Sequence, residues 1–449
     1  MSDDLLEVLD RIVARAEPAE LLEAYGTDAT EVTVKAYGGE VESLSSARTR
    51  GVGIRVIDQG RVGYAYTADT AEAALAETLE EARINASVAS ADEANVLPVP
   101  ADLAPLEVNL WEPAFADVAT EEKVELALRL EAAARSGEEI RGVDSALYGD
   151  SDATVAIAST AGIRGEYRRC DAYVVVEVLA ERDGATTSAY GLDMGRTGTS
   201  LDVEAAAAEA VDRARRILGG RKPASAQLPV LLDPYATASF LGVLAGALTA
   251  DAVQKGRSLF AGRMGEQIGP EHLTLVDDGR LDIGPATSPW DAEGVGTGRT
   301  ALISAGVLAG WLHNVYTATK DSAPPTGNAS RTGFKAPPGI SPTNLFLEPG
   351  AEDRDALLRR AGTGFYCQQV LGVHSGANAI SGEFSVGAAG VMVRDGAFAE
   401  PVREATIAGT IPDMLANVVA VGSDLRFLPF GGGMGGVTLL LEGMTLAGD

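Results

Sequence analysis

Few side chains in this sequence could hold a metal ion or start a nucleophilic reaction. The candidates are three histidines and two cysteines, namely His272, His313, His374, Cys170 and Cys367. A zinc site needs about three imidazole, thiolate or carboxylate ligands within bonding distance of one point. No two of the histidines are close enough in the sequence to share a helical turn. The sequence therefore does not predict a zinc site in this chain.

The strongest remaining polar candidate is the pair His374-Ser375 with the loop that follows it. A serine nucleophile needs a base in contact with it and an acid that orients the base, and no orienting acid is identifiable here. We interpret the loop as a contact of a substrate or of a partner subunit, and not as a catalytic group. The residues of this interpretation are His374, Ser375, Asn378 and Ser381. The alternative is a turn histidine that is satisfied locally.

Two further motifs could carry chemistry, and each has a simpler interpretation. Asp291 and Glu293 could act as an acid and base pair, although carboxylates two residues apart in a loop are more often surface groups. The glycine-rich segment 431–436 could cradle a phosphate, but it has no lysine and no helix is predicted after it. We interpret the first motif as surface carboxylates and the second as a closely packed turn.

A strand and a helix near the middle of the chain position its most informative segment. Residues 228–232 form an apolar run that predicts a strand. Asp233 and Pro234 then supply an N-cap and a proline at the first helical position. Large apolar residues recur after them at helical spacing, which predicts a helix over 235–250 with one buried face.

The rest of the chain predicts an α+β fold made of two domains. In residues 1–220, a meander of strands followed by a closing helix occurs at about 30–84 and again at about 145–218. This order predicts an N-terminal α+β layer domain with an internal duplication. A short helix is expected over 19–25 as well. Residues 226–449 are rich in glycine and short β-prone runs, which predicts a mainly antiparallel, barrel-like β domain.

Composition excludes several classes of function. The chain has 449 residues, with 36 lysines and arginines against 64 acidic residues, so its net charge is −28. Such an acidic surface repels phosphate backbones and argues against nucleic-acid binding. No apolar run reaches the roughly eighteen residues that a membrane span needs. Two isolated cysteines fit buried thiols in a reducing compartment, so we expect a cytoplasmic protein.

Several segments together resemble the TldD/PmbA (TldD/TldE) family, which was once described as modulators of DNA gyrase. The resemblance covers roughly residues 30 to 447 and is most specific from residue 228 onward. It is carried by Lys255-Gly256-x-Ser258-x-Phe260, by Gly310-Trp-Leu-His-Asn314, and by the segments 291–300, 325–328, 372–378, 381–387 and 401–409.

The resemblance also shows what this chain lacks. In the TldD branch, the central helix carries His-Glu-x-x-x-His, whose histidines hold zinc while the glutamate activates water. The corresponding residues here are Leu241, Gly242 and Gly246, and none of them can bind a metal or move a proton. The cysteine that TldD chains use as a ligand near the C-terminus is missing as well. The resemblance therefore implies the PmbA/TldE branch.

The family resemblance implies a role as the non-catalytic, TldE-like subunit of a heterodimeric zinc metallopeptidase. The pair would act on unfolded or small peptides, in proteolysis or in peptide maturation. No cofactor is expected in this chain, since the zinc is expected in a TldD-like partner subunit. When alone, the chain could form a homodimer. The alternative function is a homodimeric peptide-binding or scaffolding protein that has lost the peptidase role.

Overall fold

The computed structural model describes residues 4–100, 107–428 and 432–448. The N-terminal part of the chain builds one six-stranded antiparallel sheet covered by helices. Its elements are α1 (Leu5–Val13), β1 (Leu21–Tyr37), β2 (Glu40–Asp58), β3 (Arg61–Thr67), α2 (Glu72–Val88), α3 (Ala114–Asp117), α4 (Thr120–Arg135), β4 (Ile140–Ser159), β5 (Arg164–Arg182), β6 (Ala185–Gly195) and α5 (Val203–Ile217).

Two similar halves make up this sheet. In each half a helix precedes three antiparallel strands and another helix follows them, as α1-β1-β2-β3-α2 and α4-β4-β5-β6-α5. The strand order is β3-β2-β1-β4-β5-β6, so the halves join where β1 pairs with β4. Leu22 and Ala24 pack with residues of α1 and α2, and Val34 and Ala36 pack with residues of α4 and α5. These four residues share one face of β1, so the helices cover that face. The predicted internal duplication is confirmed.

The predicted short helix over 19–25 is wrong, because these residues lead into the 17-residue strand β1. Leu22 and Ala24 face the helical layer, while Glu23 and Tyr25 face the C-terminal part of the chain. This alternation is that of a strand. Strand β1 has a hydrogen-bonded neighbour on each side, and such pairing outweighs a short local pattern.

The C-terminal part is mostly β structure around one central helix. Its elements are β7 (Ala226–Leu232), α6 (Pro234–Ala247), α7 (Ala250–Gln254), β8 (Leu275–Asp278), β9 (Arg299–Ser304), β10 (Val307–Leu308), α8 (Val315–Asp321), β11 (Ala329–Ser330), β12 (Gly339–Ile340), β13 (Leu345–Leu347), α9 (Arg354–Ala361), β14 (Gly364–Leu371), α10 (Val373–Gly376), β15 (Glu383–Arg394), β16 (Ala397–Thr410), α11 (Ile411–Ala416), β17 (Val418–Val421), β18 (Arg426–Phe427), β19 (Met434–Gly436) and β20 (Leu439–Ala447).

A closed barrel forms the core of this C-terminal part. Strands β16, β15, β14, β7 and β20 pair in that order, and β20 pairs back to β16. A second sheet has the order β10-β9-β8-β13-β19-β18. Helix α6 places Phe240, Leu241 and Leu244 in the apolar core that both sheets share. The α+β fold class with a barrel-like C-terminal part is therefore confirmed. In the part of the chain that the structure describes, no helix is long and apolar enough to cross a membrane.

Candidate functional site

Three positions of helix α6 correspond to the zinc motif His-Glu-x-x-x-His, and two of them lie on an open face of the helix. The Asp233 carboxylate accepts a hydrogen bond from the backbone N–H of Tyr235 at 3.0 Å, which caps the helix as the sequence predicts. Leu241 is fully buried in the apolar core. Gly242 and Gly246 lie about one turn apart on the exposed side, and a Cβ at either position would have no neighbour within 4 Å. Only two of the three motif positions therefore face outward, and neither carries a donor atom.

The histidines and cysteines lie in separate environments. His272 and His374 are exposed, whereas His313 is buried and its Nδ1 has no hydrogen-bond partner among the described residues. Burial lowers the pKa of His313, which favours its neutral form. Cys170 and Cys367 are buried free thiols whose pKa values are raised by that burial, as the sequence analysis expects. Within residues 4–100, 107–428 and 432–448, no group of three or more His, Cys, Asp or Glu could hold a metal ion. These donors do not fit a zinc site.

The loop that contains His374 is held by hydrogen bonds between its own side chains and its own backbone. His374 and Ser375 are exposed on the single helical turn α10. The Ser375 hydroxyl donates to the backbone carbonyl three residues earlier at 3.1 Å. The side-chain oxygen of Asn378 accepts two backbone N–H groups, including that of Ser381 at 3.2 Å. The serine and asparagine therefore shape the loop, and the imidazole of His374 is left open to a ligand. Its role as a contact stays a prediction.

Asp291 and Glu293 are buried, so the prediction that they are surface carboxylates is wrong. Asp291 is 5% exposed and Glu293 is 1% exposed. The Asp291 carboxylate accepts three backbone N–H groups at 2.9 to 3.0 Å. Glu293 Oε1 accepts a hydrogen bond from Arg55 Nη1 at 2.8 Å. Burial, and then the charge of Glu293, raise the pKa of Asp291 to about 7. The pair is therefore a buried acidic site whose burial depends on partners from distant parts of the chain.

Arg55 belongs to a buried ionic network between the two parts of the molecule. Its Nη2 donates to Glu23 Oε2 at 2.6 Å. Glu23 also accepts a hydrogen bond from Arg331, whose guanidinium lies over the ring of Tyr25 with a centroid distance of 4.7 Å. Two arginines and two glutamates thus neutralise each other, which is the condition for burying charge. Sequence reasoning missed this network because its hydrogen-bonded pairs lie 32 to 308 residues apart.

A cavity of about 630 Å³ opens beside the network. It lies between the two parts of the chain, near the C-terminal end of α6. Its walls include Arg55, Glu293, Asn314, Thr249 and Lys255. The volume falls within the range of about 300 to 1,000 Å³ that is usual for ligand pockets. The junction therefore combines a fixed charged wall with space for a small ligand or a peptide segment.

The duplicated sheet, the barrel and the central helix define the class of this protein, because together they form the architecture of the PmbA/TldA metallopeptidases. The chain belongs to the PmbA/TldD family. Family models match domain 1 over residues 22–86, the central domain over residues 113–218 and the C-terminal domain over residues 225–448.

Similar proteins agree with this assignment. The chain is 30% identical to the metalloprotease PmbA of Escherichia coli O157:H7 over 405 residues, which are 88% of this chain and 86% of that protein. A crystal structure from Thermotoga maritima, described as a candidate modulator of a DNA gyrase, is 27% identical with a TM-score of 0.90 and covers 98% of this chain and 99% of its own. TldE from Thermococcus kodakarensis shares the fold, with 22% identity, a TM-score of 0.89 and 99% coverage of both chains. These likenesses do not favour the alternative of a scaffolding protein.

Proposed function

We propose that this chain is the non-catalytic, TldE-like subunit of a heterodimeric zinc metallopeptidase that acts on unfolded or small peptides in the cytosol. Helix α6 is the observation that carries this proposal. It has a capped N-terminus and a buried face, and the two outward positions of the zinc motif hold Gly242 and Gly246. Glycine has no ligand for zinc and no group that could take a proton. The zinc and its glutamate would therefore come from a TldD-like partner.

In the reaction, this chain would bind and enclose the peptide. Strand β2 supports this role, because β3 pairs with it only from Val52 onward. Between Glu40 and Gly51, β2 pairs with β1 on one side, and its other edge has no strand among the described residues. An extended peptide can add to such an edge through main-chain hydrogen bonds. The cavity beside Arg55 and the exposed His374 are further surfaces that a peptide could contact.

The test combines this chain with a TldD-like chain that carries His-Glu-x-x-x-His. The two chains are purified separately, their zinc content is measured by elemental analysis, and cleavage of a disordered peptide is followed alone and after mixing. We expect zinc in the partner, no stoichiometric zinc in this chain, and cleavage that depends on both chains. Sedimentation of the mixture should show a 1:1 complex.

Three results would contradict the proposal. The first is one tightly held zinc ion per copy of this chain together with cleavage by this chain alone. The second is a partner that cleaves equally well with and without this chain. A homodimer that persists in the presence of the partner would also count against a heterodimer.

A further inference from the structure

A second cavity, of about 740 Å³, lies between α5 and the barrel. It is separate from the cavity beside Arg55, with which it shares no lining residue. It is lined by four arginines, Arg213, Arg216, Arg354 and Arg426, and by six acidic residues, Asp193, Asp202, Glu209, Asp212, Asp233 and Asp424. Cavities at the junction of two structural units are common ligand sites. The protein neutralises some of these cations and not others.

Arg213 is neutralised and fixed. Its Nη1 donates to both carboxylate oxygens of Asp233, at 2.9 and 3.0 Å. Its Nη2 donates to the backbone carbonyl of Gln368 at 2.9 Å, and its guanidinium lies 4.2 Å from the ring centroid of Tyr235. Tyr366 also donates its hydroxyl to Asp233, at 2.7 Å. Arg213 and Asp233 therefore form a rigid, neutral floor.

Two acidic lining residues, Glu209 and Asp424, are engaged within the protein, whereas Asp212 is exposed and has no ion pair in the described part of the chain. Glu209 accepts hydrogen bonds from the hydroxyl of Tyr235 and from Arg426. Asp424 accepts the backbone N–H and the hydroxyl of Thr438, at 2.8 and 2.7 Å. Arg426 is thus neutralised by Glu209. The groups that hold these carboxylates come from the protein itself.

Arg216 differs from these arginines. Its Nη1 donates to the neutral side-chain oxygen of Gln368 at 2.7 Å, and it has no ion pair in the described part of the chain. Other arginines without an ion pair there, Arg61, Arg221, Arg257 and Arg359, are exposed, whereas Arg216 is partly buried. A partly buried guanidinium without a counter-ion is costly, because buried charges are normally paired.

Arg354 lines the same cavity as Arg216 and has the same sign of charge. Both guanidinium groups lie over the ring of Phe398, at centroid distances of 5.1 Å for Arg216 and 5.6 Å for Arg354. The only carboxylate paired with Arg354 in the described chain is the adjacent, exposed Asp355, at 3.2 Å. Burial lowers the pKa of Arg216, Tyr366 and Asp233 raise it, and the charge of Arg354 lowers it. An anion bound in the cavity would offset the charge of both guanidiniums.

We propose that this cavity binds a carboxylate-bearing ligand, with the carboxylate held by Arg216 and Arg354. The planar guanidinium suits a carboxylate because its N–H groups match the two oxygens. The carboxylate can come from the C-terminus of a peptide or from a small organic acid. The neutral floor made by Arg213 and Asp233 would orient the rest of the ligand. The inference does not rest on a metal-bearing partner, because every group in it belongs to this chain.

The experiment titrates the full chain by calorimetry at low salt with four probes. Trialanine with a free C-terminus and succinate test the two sources of the carboxylate, trialanine amide lacks the charge, and inorganic phosphate tests general anion binding. We expect trialanine or succinate to bind, the tighter one identifying the source, and the amide not to bind. Equal binding of the amide, the absence of binding by both carboxylates, or tighter binding of phosphate than of either carboxylate would overturn the proposal.

Matched variants locate the binding site. Arg216→Gln and Arg354→Gln should each weaken carboxylate binding about tenfold or more, because a charge-assisted hydrogen bond is lost. Arg359→Gln is the control, since Arg359 is an exposed arginine on the same helix as Arg354 but does not line the cavity. It should bind like the wild type. Unchanged binding in both Arg216→Gln and Arg354→Gln would place the ligand elsewhere. If Arg216→Gln does not fold, the more exposed Arg354 gives the same test.

Discussion

Arg55 Nη1 donates a hydrogen bond to Glu293 Oε1 at 2.8 Å, although 238 residues separate the two in the sequence. The side chains are 8% and 1% exposed. Through its other terminal nitrogen, Arg55 also binds Glu23, so one guanidinium links carboxylates from both parts of the molecule. The junction between the duplicated sheet and the C-terminal part therefore depends on the pairing of buried charges.

Replacement of Arg55 by methionine should strongly destabilise the protein. The substitution leaves Glu293 buried without its cation, which typically costs about 3 to 5 kcal/mol. The control is Arg48→Met, which removes a partly exposed pair with Asp28. Because Asp28 keeps Arg50 at 3.7 Å, the free energy of unfolding should change by about 1 kcal/mol or less. Urea unfolding followed by circular dichroism measures both. Equal midpoints for the two variants would show that the buried pair does not hold the junction.

The titration of Asp291 should lower the stability of the protein as the pH rises toward neutrality. Its pKa in the folded protein is about 7, whereas an unfolded aspartate has a pKa of about 3.9. Between these values the folded state binds a proton that the unfolded state does not, so the stabilising contribution is complete below about pH 4 and is lost as the pH passes 7. The asparagine of Asp291→Asn cannot titrate. The difference in stability between this variant and the more stable wild type should therefore shrink between pH 5 and pH 8.

The pH dependence of Asp291→Asn is compared with that of Asp277→Asn. Burial raises the pKa of Asp277 to about 6, so the corresponding change should occur at a lower pH. Thermal unfolding at several pH values measures both variants. A deficit of Asp291→Asn that is the same at every pH would contradict the buried-acid interpretation.

The glycines on α6 should be replaceable by alanine with a gain in stability. Glycine inside a helix costs about 0.5 to 1 kcal/mol relative to alanine. A Cβ at Gly242 or Gly246 would meet open space, so Gly242→Ala and Gly246→Ala should each raise the melting temperature. The control is Gly436→Ala, where the added Cβ would collide with the backbone carbonyl of Pro234 on the same helix. Calorimetry of the isolated chain measures all three. A lower melting temperature for both α6 variants would mean that this face is packed.

His374 should contribute to the activity of the assembled pair without supporting the fold. Its imidazole is exposed, so His374→Ala should leave the melting temperature unchanged. If it contacts the peptide or the partner, the loss of one hydrogen bond of about 1 kcal/mol weakens binding roughly fivefold. His272→Ala is the matched control, because His272 is also exposed but lies outside the loop 374–381. Peptide KM and the dissociation constant of the pair are the measurements, and identical values for both variants would remove His374 from the site.

Local patterns in the sequence predicted several elements of the fold well. The cap formed by Asp233 and Pro234 starts α6 as expected, because capping uses only neighbouring residues. The duplicated order of strands and helices was also predictable, since each half repeats the same alternation. The helix predicted over 19–25 failed, because β1 is held by strands on both sides. The prediction that Asp291 and Glu293 are surface carboxylates failed for a related reason, because no local pattern reveals the distant Arg55.

By itself, the sequence determined the α+β class, the repeated N-terminal unit and the central helix without zinc ligands. These features depend on residue identity and on periodicity over a few turns or strands. Only the tertiary structure decided that a side chain at Gly242 or Gly246 would meet open space. It also decided that Arg216 is partly buried without a counter-ion while Arg55 joins Glu23 to Glu293. Strand pairing and interdomain packing bring such groups together, because side chains far apart in the chain meet only when the sheets are assembled.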